Sequence, residues 1–386
     1  MEAFNLLKGY LESLPKNKKQ IIFFDEMPWM DTPRSNFFVA FECFWNGWGN
    51  SRDNLICIVC GYATSWMKKN FDNNKGGLYN RLTSRIYLNP FNLKETEQYL
   101  LSKNINWSRY NIVECYMIMG GIPYYLSKID KDLTYQENID NIFFRKRAEL
   151  WDEFNFLYSA LFDNSNNYIK IIEALSTKKE GLQRGEIIAK TGLPENGAIT
   201  KMLNNLEYSG FIRINDFFGK KQKIYELSDY YTLFYFKFIK NNYRKDEHFW
   251  SHTLDNPSRK AWAELTFKQV CKDHIDNIKD KIGIKGVLSP TSMWRKIGTK
   301  DSTGTQIDLL IDRRNRVISI CEIKFSINEY EITKEYDERL RDMLSIFQKE
   351  TKTKSDLQLV MITTYGVKNN MYSSIVSNQV TLNDLF

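Results

Sequence analysis

The sequence predicts an α/β chain in three parts, on three observations. Two short apolar runs, residues 21–24 and 55–60, have the length and uniformity of parallel strands buried on both faces. Residues 167–228 show helical spacing three times over, then two strand-like runs joined at a basic turn. Residues 306–324, QIDLLIDRRNRVISICEIK, read as a β-hairpin, two β-branched runs about a polar turn at Arg313, Arg314 and Asn315.

Composition sets the outer bounds. A chain of 386 residues is long enough for two or three domains with cores of their own. Its 42% apolar and 26% charged content is that of a globular protein and excludes a disordered one. A net charge of +7 permits contact with nucleic acid without demanding it. Cys57 and Cys60 form a C-x-x-C, but no second pair or histidine partner follows. With Cys43, Cys115, Cys271 and Cys321 they read as buried thiols of a reducing compartment rather than zinc ligands. No signal peptide and no run of membrane-spanning length is present, so a cytoplasmic protein without a membrane partner is expected.

The first part opens on a helix-like stretch ending at Pro15, and its first strand ends in Asp25-Glu26. An acidic pair there can hold Mg²⁺ through the first carboxylate, while the second orients or deprotonates a water. The segments IIFFDEMPWM, LICIVCGYATSWM, NRLTSRIYLNPF and GGIPYYL together resemble the archaeal-type AAA ATPases, which are P-loop NTPases. The resemblance implies an AAA domain over residues 1–130, running from the Walker B strand onward and including the lid. It implies ATP as cofactor, Asp25 near nucleotide and metal, Glu26 as catalytic carboxylate, and Arg81 and Arg85 reaching a phosphate in a homo-oligomer. One departure is large. No G-x-x-x-x-G-K-[ST] occurs, so these residues offer no backbone N–H cradle and lysine for phosphates. Tyr62 stands where a small polar sensor is expected, with Thr64 and Ser65 as substitutes. An upstream ATPase segment is therefore one expected partner, and ATPase activity is not expected of these residues alone.

A helical connector at 131–165 leads to a winged helix-turn-helix at 166–230. YIKIIEALS, RGEIIAKTG and GAITKMLNNLEYSG supply three helices, the second broken at Gly192 and the third closed by Gly210. FIRINDFF and KIYELSD form the wing. Asn196, Thr200, Lys201 and Asn204 fall on the open face of the third helix, where they can enter a major groove. Lys220, Lys221 and Lys223 on the wing can neutralise phosphates of DNA. The alternative use is a rigid joint between domains. An aromatic linker at 231–257, with DYYTLFYFKFIK at its start, reads as packing rather than as a base-stacking platform.

The last part, 258–386, holds the hairpin between helix-like segments 258–280 and 328–348, with a further strand at 357–363. Strand alternation puts Gln306, Asp308 and Leu310 on one face, and Glu322 with Lys324 on one face of the partner. Asp308 and Glu322 side by side repel unless a cation lies between them, and Mg²⁺ accepts carboxylates plus water. Lys324 can polarise the attacking water. An acidic residue on one strand and Glu-x-Lys on the next resemble the PD-(D/E)xK nuclease superfamily, which implies Asp308 and Glu322 as metal ligands and Lys324 as catalytic. Glu264 stands where that superfamily often keeps one more acid. Glu350-Thr351-Lys352 also fits the triplet, in a charged segment without the same context. The expected function is that of an ATP-binding AAA family member coupled to DNA binding and metal-dependent phosphodiester cleavage. A non-catalytic DNA-binding or scaffold protein, and a fragment of a longer ATPase, are the alternatives.

Overall fold

A computed structural model describes residues 1–32, 34–61, 64–72, 76–78, 80–162, 164–178, 180–242, 246–298 and 304–386. The chain is mixed α/β and divides into two compact units. The first comprises Met1–Leu88, Ala160–Asp163 and Asn196–Ser209; the second comprises Asn89–Ser159, Asn164–Glu195 and Gly210–Phe386.

In the first unit, strand β1 (Gln20–Phe24) pairs in parallel with β2 (Leu55–Val59), Ile21 opposite Ile56 and Phe23 opposite Ile58. Helices Glu2–Ser13 and Phe37–Gly47 supply Phe4, Leu11, Ala40, Phe41 and Phe44 to a core shared with Ile22 and Leu55. The expectation that these strands are buried on both faces does not hold. Ile21 and Phe23 are 64% and 57% exposed, and Ile56 and Ile58 are each 43% exposed. The reason is the layer count: among the described residues the sheet has two strands, and the helical core forms on the Ile22 side.

The second unit is built on a seven-stranded mixed sheet. Its strands are β3 (Ile212–Phe217), β4 (Lys220–Leu227), β5 (Thr291–Lys296), β6 (Thr305–Asp312), β7 (Val317–Lys324), β8 (Asp356–Thr363) and β9 (Val376–Thr381), in the order β4-β3-β5-β6-β7-β8-β9. The β3–β4 hairpin joins the rest through a single parallel pair, Phe217 with Met293. Strands β5, β6 and β7 run antiparallel, and β7, β8 and β9 parallel. A parallel step needs a crossover, and helix Lys334–Thr351 provides it between β7 and β8. That helix seats Leu340, Met343 and Phe347 on Leu310, Ile318, Ile320, Leu359 and Met361. It starts later than the expected 328, because Tyr330 instead pairs with Val367 and Thr333 caps the helix at Tyr336 N.

The expected helix at 258–280 is two, Pro257–Asp273 and Ile275–Lys281, broken at His274. Helices Leu93–Ser102, opened by an Asn92–Glu95 capping box, and Arg109–Met119 complete the surroundings. The 229–240 stretch is core, as its composition implied: Tyr230, Tyr231, Phe234, Phe238 and Ile239 are all buried. Helices Ser165–Ser176, Arg184–Thr191 and Gly197–Tyr208 form where the three-helix pattern put them, with Gly192 and Gly210 left-handed at φ 67° and 78°. The third belongs to the first unit, while the first two and the hairpin belong to the second.

Candidate active site at the sheet end

At the β6–β7 end of the sheet, Leu309 pairs with Cys321 and Leu310 with Ile320, so the next step of that register sets Asp308 against Glu322. Strict alternation fails on β6. Ile307 and Leu310 both enter the core beneath helix Lys334–Thr351, and the β5–β6 pairing shifts register between Ser292 and Trp294.

Asp308 is held by two donors. The Lys268 ammonium, on helix Pro257–Asp273, lies 2.5 Å from Oδ2, and the Gln306 amide donates to Oδ1 at 2.5 Å. Burial pushes the Asp308 carboxyl up, but the Lys268 charge and these hydrogen bonds outweigh it and hold it below the usual carboxylate range. Burial likewise pushes Lys268 down, and Asp308, then Glu322 and Glu264, more than restore it. The ammonium thus sits in the field of three carboxylates.

Glu322 is held from the other helix. The Tyr336 phenol donates to its Oε1 at 2.6 Å, and Lys324 Nζ lies 3.3 Å from the same atom. Burial and the Glu322 charge push the Tyr336 phenol well up, which keeps it a donor. Tyr330 packs edge-on to Tyr336 and feels Lys324, Glu322 and Glu264. Three carboxylates against two ammonium groups leave the cluster one negative charge in excess.

The sequence reading singled out Asp308, Glu322, Lys324 and Glu264, and all four belong to this cluster. Lys268, Gln306 and Tyr336 were missed. The local signals were the i,i+4 spacing of Glu264 and Lys268 and, for Gln306, its place two residues before Asp308. The cation that stands among these carboxylates is Lys268, held by Asp308 in the field of Glu322 and Glu264. Among the described residues, no three His, Cys, Asp or Glu side chains form a group able to hold a metal.

The remaining residues singled out lie elsewhere. Asp25 is exposed at the end of β1 and accepts the Cys60 thiol at 2.9 Å. Glu26 has a left-handed backbone, φ 46°, and caps the short helix Met27–Met30. Arg81 and Arg85 are exposed in a segment without regular structure. Tyr62 lies outside the described residues, as do the side chains of Thr64 and Ser65. Not all thiols are buried: Cys43 is exposed, while Cys57 and Cys60 are half-buried, burial pushing the Cys57 thiol up to about 12. Thr200, Lys201 and Asn204 are exposed on helix Gly197–Tyr208, as are Lys220, Lys221 and Lys223 on β4. No described helix is long and apolar enough to cross a membrane.

No family model matches the chain. It is 26% identical over 337 residues to an uncharacterized protein of Methanocaldococcus jannaschii, MJECL04, covering 84% of this chain and 72% of that protein. Among solved structures it is similar to the Walker-type ATPase paby2304 of Pyrococcus abyssi, with TM-score 0.39 and 17% identity. That match spans 56% of this chain and 62% of the ATPase chain. Protein VC1899 from Vibrio cholerae aligns over 95% of this chain and 88% of its own, with TM-score 0.24 and 8% identity. At these TM-scores neither likeness bears on function.

Proposed function

We propose that the chain binds DNA and cleaves phosphodiester bonds at the β6–β7 sheet end. The observation that supports this is the gathering of Asp308, Glu322, Glu264, Lys268 and Lys324 around one excess negative charge. Asp308 and Glu322 would hold Mg²⁺, which when bound supplies charge stabilisation on the phosphate and a more acidic water. Lys268 and Gln306 fix the Asp308 carboxylate, and Tyr336 fixes that of Glu322. Lys324 Nζ is the donor free to swing from Glu322 to a water or a phosphate oxygen. In the first unit Thr200, Lys201 and Asn204 would contact DNA, and in the second unit, independently, so would Lys220, Lys221 and Lys223. Asp25, Glu26, Arg81 and Arg85 keep the ATPase reading only as what the family resemblance implies.

A second reading has its own support: Lys268 already neutralises Asp308 at 2.5 Å, as a purely structural ion pair does. In it the chain binds DNA without cutting. Plasmid cleavage with Mg²⁺ or Mn²⁺ separates the two. Asp308→Ala and Glu322→Ala are each expected to abolish cutting, and Lys324→Ala to slow it by about 10²-fold with metal affinity kept. A wild-type chain that does not cut, or single variants that cut at its rate, leave the second reading standing.

A further inference from the structure

The second unit also contains a cleft of about 480 Å³ well outside the groups invoked so far. Its rim carries three consecutive cations, Arg145, Lys146 and Arg147, and its floor is Phe143, Phe144 and Ile239. The floor residues are buried and the three cations exposed. Among the described residues the carboxylates acting on this stretch are Glu137, favoured by the Arg145 charge, and Glu247, which accepts Lys146 N–H.

Two features mark this place as built. Both walls come from π-helical turns, Asp140–Phe144 and Tyr235–Ile239, a rare conformation that concentrates at functional sites. The loop bearing the cations is anchored at both ends. Arg145 N–H closes the first π-turn on Asp140 O at 2.9 Å, and Leu150 N–H bonds Ile142 O at 3.1 Å, with Ala148 and Leu150 buried. The Asp140 carboxylate in turn holds Trp250 N–H at 2.7 Å and the Ser251 hydroxyl at 2.5 Å. Arg147 has φ 67°, a left-handed position where glycine would be unstrained and an arginine stands instead.

Like charges placed side by side on an anchored loop repel, and an anion relieves that repulsion. Two of the three are arginines, whose planar forks match phosphate oxygens. An aromatic and aliphatic floor beside them suits a flat ring. The volume lies within the range of small-ligand pockets and is far too small to admit a duplex. We propose that this cleft binds one unpaired nucleotide unit, its phosphate met by Arg145, Lys146 and Arg147 and its ring laid on the Phe143–Phe144–Ile239 floor. Glu247, whose Oε2 accepts Lys146 N–H at 3.2 Å, offers the cleft one acceptor, which favours a base carrying an amino group. The unit can come from a free nucleotide or from a single strand. The proposal does not depend on the sheet-end site.

Calorimetric titration at low salt tests it, with dAMP, a 5′-phosphorylated tetradeoxyadenylate and inorganic phosphate as probes. Replacing Arg145, Lys146 and Arg147 together by Ala is expected to weaken dAMP and the tetramer at least tenfold. The thermal midpoint should not move, since exposed side chains are removed. Replacing Lys220, Lys221 and Lys223 should leave both affinities in place. Equal affinity for dAMP and tetramer assigns the cleft to free nucleotide; a tighter tetramer assigns it to single strands. Absence of binding, or unchanged binding by the triple variant, overturns the proposal. Inorganic phosphate binding as tightly as dAMP overturns the role of the floor.

Discussion

At the scale of a residue, His274 shows how burial decides chemistry. Its ring is 5% exposed, with Nε2 accepting Leu93 N–H at 3.0 Å and Nδ1 against Val270 O at 2.8 Å. Those partners need the neutral tautomer with the proton on Nδ1. Burial lowers its pKa, outweighing the Val270 carbonyl and the Asp273 charge. The unfolded value is about 6.5, so folding must exclude a proton that the unfolded chain takes up below that pH. This stability is complete above about 6.5 and is lost as pH falls from there through the lower folded value, at no more than about 1.4 kcal/mol per pH unit. Urea unfolding of wild type and His274→Gln between pH 8 and pH 5 should therefore give curves that converge as the solution is acidified. Parallel curves would mean that His274 does not titrate differently in the two states.

At the scale of an element, helix Pro257–Asp273 gathers several of the buried charges of the second unit. Arg259 lies 3.7 Å from Glu114, donates to Trp250 O and stands 3.6 Å over the Trp250 ring. Lys268 binds Asp308, Lys272 binds Glu226 at 2.7 Å, and Asp273 takes Arg213 and the Tyr230 hydroxyl. Buried charges are tolerable because each is paired, and removing one partner leaves the other desolvated. The Lys272–Glu226 pair is the clearest case, both side chains being 10% exposed. Asn215 and Gln269 add hydrogen bonds to the same carboxylate. Lys272→Met alone is expected to cost about 3 kcal/mol in urea unfolding, and Lys272→Met with Glu226→Gln distinctly less. Additive losses would show that the pair is not coupled.

At the scale of the whole molecule, the net charge of +7 is too small over 386 residues to attract nucleic acid by itself. The binding proposed above would have to come from local clusters. Lys220, Lys221 and Lys223 lie on the exposed first half of β4, and Lys220 rests 5.8 Å from the Phe217 ring. If these lysines meet DNA phosphates, replacing all three with Ala should weaken duplex affinity and lower the slope of log K against log salt by about 0.9 for each lost contact. An unchanged slope would assign them to solvent. The same measurement leaves the Arg145–Arg147 cleft untouched, since a duplex does not fit there.

Much of the local structure was legible in the residues themselves. Alternation and turn chemistry located both strands of the Asp308–Glu322 hairpin; helical spacing with Gly192 and Gly210 located the three middle helices. That Glu322 and Lys324, two apart on β7, stand together was legible for the same reason, whereas the irregular register beside β6 shows that alternation holds only where the pairing is regular. Tertiary structure alone decided the partners that Asp308 and Glu322 take from other elements. Lys268 lies 40 positions from Asp308 and Tyr336 14 from Glu322, and no local period links them. Nor does any local signal tell Ile21 and Phe23 that their outer face goes uncovered, or bring two π-turns from distant parts of the chain to one cleft. Backbone sterics write periodicity into neighbouring residues, whereas burial, pairing and charge compensation depend on which distant segments the packing sets against them.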